Sequence, residues 1–155
     1  MGIENIRIVN KNGLSNYDLE AIIENYNINI PIKVSAMNEL DKSYTGGIVN
    51  YQDTDETGTH WVAYAIKGKE FLYFDSFGMP PPKEIIKFAN NIRISMNDGQ
   101  LQDINSVLCG WYCVHFLIHI LGLGWKYSKY LSEFNPDDQM ENEKLISDFF
   151  KLKYI

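Results

Sequence analysis

The sequence lacks most of the features that would mark a specialised class of protein. It has only two cysteines in 155 residues, Cys109 and Cys113. That is too few for a disulfide framework and fits thiols kept in a reducing compartment. Positive charge is also scarce: 14 Lys and Arg stand against 20 Asp and Glu, a net charge of −6 with no basic block. Nucleic-acid affinity comes mainly from neutralising phosphates, so no nucleic-acid partner is expected. The longest apolar stretch, 114–125, is broken by His115, His119, Gly122 and Gly124 and is too short to span a bilayer. A membrane partner is therefore not expected either. The opening MGIENIRIVN has neither a basic nor an apolar signal region, and Ile6 stands where a myristoylation motif wants Ser or Thr. No repeat or Gly/Ser linker divides the chain. The expectation is a soluble intracellular protein forming one domain over 1–155.

What is present is apolar and aromatic. Hydrophobic residues make up 45%, with 3 Trp, 10 Tyr and 8 Phe, which is ample for a core without staples. Ser15 and Asp18 open a helix over 16–26, with Leu19, Ile22, Ile23 and Tyr26 on one face. An extended stretch over 28–34 is interrupted by Pro31, a loop over 41–47 leads into a strand at 48–51, and 52–59 reads as a polar turn. Residues 60–66 and 69–75 form a hairpin across Lys67-Gly68. Pro80-Pro81-Pro82 stops the sheet and starts a helix over 83–90, and 92–96 alternates like a strand. The segment 109–121 is apolar on nearly every side and predicts a central buried helix; the tail from Pro136 predicts an amphipathic closing helix. The class is α+β, a small, mostly antiparallel sheet packed against helices.

With Lys67-Gly68 as the connection, Ile66 faces Lys69 and His60 faces Asp75. Directly opposed side chains share a face about 4.5–5.5 Å apart, close enough for a carboxylate to orient an imidazole. Alone, such a pair reads more readily as an inert surface contact. Cys109 adds weight, because it begins the apolar helix, where the macrodipole favours a thiolate, and Gly110 leaves room beside it for a scissile carbonyl. Cys113, one turn deeper, reads as a structural thiol. At about 100° per residue, His115 lies roughly 240° and His119 roughly 280° around the helix from Cys109, which leaves His60 as its partner. The same geometry sends the Cys109–Cys113 and His115–His119 pairs to different sides, against a tetrahedral zinc site. No metal and no cofactor are assigned. Gln102, seven residues before Cys109, offers a side-chain amide that could donate to an oxyanion, with Gln100 as a competitor.

The order His60-Trp61, Asp75-Ser76-Phe77-Gly78, Gln102, Cys109-Gly110 resembles the adenain-type cysteine proteases, the adenovirus maturation protease and its relatives in other DNA viruses, virophages and virus-like elements. SUMO-specific proteases share that catalytic core. The likeness runs from about Gly46 to Leu121 and includes GTHWVAYAI, YFDSFG and SVLCGWYCVHFL. It implies a papain-like or adenain-like fold, with Cys109 as nucleophile, His60 as general base, Asp75 as its orienting partner and Gln102 as oxyanion donor. It also implies a thiol endopeptidase acting on viral structural precursors during maturation, in the host cytoplasm, nucleus or virion. The adenovirus enzyme is basic and uses DNA and a disulfide-linked peptide as activators; this chain is acidic and has no cysteine before Cys109, so neither carries over. The chain has little room for the loops that grip a folded modifier, and a monomer is expected. An isopeptidase for a ubiquitin-like modifier, an acyltransferase, and a binding module with structural Cys and His are the alternatives.

Overall fold

The computed structural model describes residues 2–51 and 60–154, so the polar turn expected over 52–59 lies outside the described residues. The elements run α1 (Ile3–Ile6), β1 (Ile8–Val9), α2 (Asn16–Asn25), β2 (Ile32–Ala36), β3 (Gly46–Asn50), β4 (Trp61–Lys67), β5 (Glu70–Phe74), α3 (Lys83–Ala89), β6 (Arg93–Met96), α4 (Cys109–Leu117), α5 (Tyr127–Leu131), α6 (Gln139–Phe150) and β7 (Lys153–Tyr154). The class is α+β, as the sequence predicts. The five-stranded sheet has the order β2-β3-β4-β5-β6 and is mixed. Its two central pairings are antiparallel, while β2 joins β3, and β6 joins β5, in parallel. A separate short ribbon pairs β1 with β7 in parallel.

Both faces of the sheet are buried, and the strands divide their side chains between them by the period-two rule. Trp61, Ala63, Ala65, Leu72 and Phe74 meet α4, where Phe74 and Phe116 stack at 5.1 Å between ring centroids. Val62, Tyr64, Phe71 and Tyr73 face the other way, against Ile85 and Ala89 of α3. The almost wholly apolar character of α4 follows from this: every one of its nine residues is buried. Ser15 caps α2 in the expected box with Asp18, each side chain taking the other's backbone N–H. The helix expected over 109–121 ends as an α-helix at Leu117 and continues as a wider π turn, Ile118–Gly122, that closes with Leu123 N–H donating to Ile118 O.

The hairpin differs from expectation in an instructive way. Its register pairs Lys67 with Glu70 and Ala63 with Phe74, so the turn is Gly68-Lys69, one residue later than Lys67-Gly68. Gly68 takes the left-handed region at φ +59 while Lys69 does not, which is the type II′ pattern with glycine first. Continued to the strand ends, this register sets His60 level with Phe77 rather than Asp75. Moving the turn by one residue displaces the partner by two, so face parity survives. Asp75 becomes the diagonal neighbour of His60, still within reach of two side chains that lie just beyond the strand ends.

Among the described residues, no helix is long and apolar enough to cross a membrane.

Candidate active site

His60 and Asp75 sit at one end of the sheet, His60 immediately before β4 and Asp75 immediately after β5. His60 Nε2 and Asp75 Oδ1 are 2.6 Å apart, with the carboxylate fully buried and the imidazole one-fifth exposed. Asp75 is held from three directions. Its Oδ1 also accepts from Phe77 N–H at 2.9 Å, its own N–H donates to Asn97 Oδ1, and Asn97 Nδ2 donates back to its carbonyl at 2.6 Å. Asn97 thus pins the backbone of Asp75 to β6, a role the sequence did not signal beyond its place in a turn. The Phe77 ring lies 4.6 Å from the His60 ring and covers one side of it.

Because Nε2 is taken by Asp75, the ring's other nitrogen, Nδ1, is left for a second group. Nδ1 is buried and lacks a partner of full hydrogen-bonding geometry. Cys109 nevertheless lies near enough to act on the imidazole. Long or bent contacts of this kind are usual in a site without substrate. Burial pushes the His60 pKa down, but the hydrogen bond to Asp75 with its negative charge, together with the neighbouring Cys109, outweighs it and raises the pKa to about 9. His60, Asp75 and Cys109 are therefore brought together.

Cys109 is the first residue of α4 and is nearly buried. Gly110 does not serve the purpose expected of it. A Cβ there would stand 3.1 Å from Leu14 and 3.2 Å from Leu19, so its missing side chain lets the start of α4 approach the core beside α2 rather than opening space for a substrate. Cys113 is fully buried, and burial pushes its thiol well above the usual range. His115 and His119 stay away from Cys109. His115 Nδ1 meets Tyr130 Oη at 2.8 Å, His119 Nδ1 donates to His115 O at 2.7 Å, and burial drives the His115 pKa down to about 3.

Gln102 lies fully buried in the loop between β6 and α4. Its Oε1 accepts from Ser76 Oγ at 2.6 Å, and its Nε2 donates to Ser106 O at 2.9 Å and, more weakly, to Ser106 Oγ at 3.3 Å. Ser76 ties this loop to the residue after Asp75, because Ser76 O also accepts both Leu101 N–H and Gln102 N–H. Gln100 turns back on the same loop, its Nε2 donating to Gln102 O.

An acidic partner and a thiol sharing one imidazole at the start of a buried helix make an arrangement fit for nucleophilic chemistry. No known family matches the sequence, and no curated protein does. Solved structures do match, and what they share with this chain is the fold. One is the ASFV pS273R protease, 18% identical, superposing with a TM-score of 0.60 over 93% of this chain and 70% of that one. Its selenomethionine form is 16% identical, with a TM-score of 0.59 over 86% of this chain and 66% of that one. The chain thus spans about two thirds of the length of these structures, and the likeness is one of fold.

Proposed function

We propose that the protein is a thiol endopeptidase of the adenain type that cleaves viral structural precursors during particle maturation. The observation that carries this reading is the single imidazole of His60 engaged by Asp75 on one nitrogen and acted on by Cys109 as well. The fold of the ASFV pS273R protease supports it. With its pKa raised to about 9, His60 carries the proton at neutral pH and holds it ready for the leaving group. The Cys109 sulfur attacks the scissile carbonyl carbon, and the carbonyl oxygen takes the negative charge. As the tetrahedral intermediate collapses, His60 gives its proton to the leaving amine and a thioester remains on Cys109. His60, now neutral, takes a proton from water, the hydroxide carbon bond forms, and the thiolate leaves. Asp75 keeps the ring oriented throughout and balances its charge, and Gln102 serves as the oxyanion donor once its Nε2 gives up a hydrogen bond to Ser106.

The substrate is an extended segment with small residues, glycine first, beside the cut. A direct comparison tests this: unstructured glycine-containing peptides from capsid precursors against SUMO- and ubiquitin-linked proteins at equal concentration, each with Cys109→Ala as blank. Peptide cleavage that disappears in the variant is expected. Release of a folded modifier without peptide cleavage would replace the reading with the isopeptidase. A Cys109 that transfers acyl groups to an amine but not to water would replace it with the acyltransferase.

A further inference from the structure

Towards the far end of α4 the chain builds a second cluster of polar groups, which the proposed chemistry leaves unused. His115 and His119 stack with ring centroids 4.2 Å apart, and each is more than nine-tenths buried. They line a cavity of about 530 Å³ together with Trp125, Phe149, Glu133 and Asp148. At about 1.5 Å of rise per residue, His115 stands roughly 9 Å along the helix from Cys109 and His119 farther still. The cavity is therefore separate from the site of His60 and Asp75. His119 lies in the π turn Ile118–Gly122, after which the chain returns over it. Trp125 N–H donates to His119 O at 2.9 Å, and the two rings meet edge to face at 4.7 Å. Phe149 closes the box from α6, 4.7 Å from the His115 ring and 5.5 Å from the His119 ring.

The polar equipment of this space is made of acceptors. His119 Nδ1 donates to His115 O at 2.7 Å, which leaves Nε2 of the neutral ring as an acceptor. That nitrogen has no partner among the described residues and is not sealed off as His60 Nδ1 is, so it opens on the cavity. Glu133 makes no ion pair among the described residues, and Asp148 gives only Oδ2 to Lys144, in an exposed pair that contributes little. No lysine or arginine borders the cavity. His115 adds no opposing charge, because burial and then the neighbouring His119 drive its pKa down to about 3 and keep it neutral at neutral pH. Four aromatic rings, two carboxylates and an unpartnered acceptor nitrogen suit a group that is cationic, flat and rich in N–H donors. Trp125 already attracts such charge on its outer side, where Lys129 Nζ lies 4.1 Å over the ring. The net charge of −6 likewise favours a basic partner.

We propose that this cavity is a docking site for an arginine side chain of a protein partner. The guanidinium stacks among Trp125, Phe149 and the two imidazoles and donates to His119 Nε2, Glu133 and Asp148. The site stands apart from the protease reading and does not depend on it.

The test titrates isotope-labelled protein with the blocked tripeptide Gly-Arg-Gly and follows the His115 and His119 ring signals and the Trp125 indole N–H by NMR. Parallel titrations use the same peptide with citrulline, which keeps the shape and loses the charge, the same peptide with norleucine, and free agmatine. The arginine peptide shifts these three residues and leaves His60 unmoved, with a Kd of about 0.1–1 mM, as one enclosed side chain allows. The citrulline and norleucine peptides bind at least about 10-fold more weakly, and added salt weakens the arginine peptide. Glu133→Gln, at an exposed position, and Trp125→Leu each lower arginine affinity by about 3- to 10-fold. His119→Phe, which keeps a ring and drops the acceptor, does the same while the amide spectrum of the sheet stays unchanged. No shift at about 10 mM arginine peptide overturns the proposal. So does an unaltered affinity in both Glu133→Gln and Trp125→Leu. Norleucine binding as tightly as arginine would make the cavity an apolar groove. Agmatine binding about 10-fold tighter than the peptide would give it to a free cation instead of a protein partner.

Discussion

Replacing Asp75 with Asn removes one charge and leaves the hairpin in place, which separates the forces acting on His60. Burial alone would drive the imidazole below its ordinary pKa of 6.5, yet the pKa stands at about 9 because Asp75 and Cys109 favour the protonated ring. At about 1.4 kcal/mol per pH unit, the net displacement amounts to roughly 3 kcal/mol in favour of imidazolium. Without the Asp75 charge, burial regains the upper hand and the His60 pKa falls towards or below 6.5. The assay is Cys109 alkylation against pH, paired with an NMR titration of the His60 ring. In the unaltered protein the alkaline limb of cleavage lies near pH 9, and in Asp75→Asn it moves down by more than a unit. Turnover near neutrality drops by about 10²–10⁴-fold, as in other triads. Stability follows the same linkage. A pKa raised on folding gives a stabilising contribution that is complete below pH 6.5 and is lost as pH rises through about 9, so the variant shows a flatter stability profile across that window. An alkaline limb that stays near 9, or a nearly active Asp75→Asn beside an inactive His60→Ala, would mean that another carboxylate orients the ring.

Cys109 and Cys113 should differ sharply in reactivity. Mass spectrometry after brief alkylation should find Cys109 modified and Cys113 untouched until denaturant is added, because Cys113 is fully buried with its thiol pushed up; equal labelling in the native protein would remove the assignment. Gly78→Ala should loosen the site from a distance. Gly78 has φ +74, and a Cβ there would stand 2.7 Å from the Gly99 backbone, so the turn after Asp75 must open at a cost of about 1–3 kcal/mol. A denaturation midpoint and kcat both equal to those of the unaltered protein would show that this turn does not hold Asp75.

The elements with strong local signals were legible in the sequence. The Ser15–Asp18 box, the proline stop before α3 and the all-round apolar run of α4 each carry their own short-range cause; the first two helices form within a residue of expectation, and α4 starts where expected but gives way to a π turn after Leu117. The hairpin was legible as a hairpin but not in register. Only the backbone of the turn distinguishes glycine in the first position from glycine in the second, and either choice keeps His60 and Asp75 on one face. The parallel edges, β2 on β3 and β6 on β5, have no local signature, since their partners are chosen by tertiary packing. The helix α5 was missed because its buried Tyr127 and Tyr130 follow a glycine-rich stretch that masks the pattern. Asn97, Asn142 and Glu143 were missed for another reason. In a sequence they are ordinary polar residues, and only burial shows that their hydrogen bonds hold the chain around Asp75, Gln102 and Cys109. A buried acid on an amphipathic helix at the position after a buried asparagine is the trace they leave.

The placement of α6 after Cys109 in the chain has a consequence for timing. The hairpin that bears His60 and Asp75 joins neighbouring segments and can close within microseconds of becoming available. The hydrogen bonds by which Gln139 and Asn142 hold Gln100 O and Leu101 O cannot form until α6 itself has been made. At about 5–20 residues per second, its last residues leave the ribosome roughly 2–8 s after Cys109 does. During that interval a nascent chain has its thiol and its imidazole but not the support for Gln102. Synthesis order thus makes the docking of α6 the last step in holding the loop that bears Gln102.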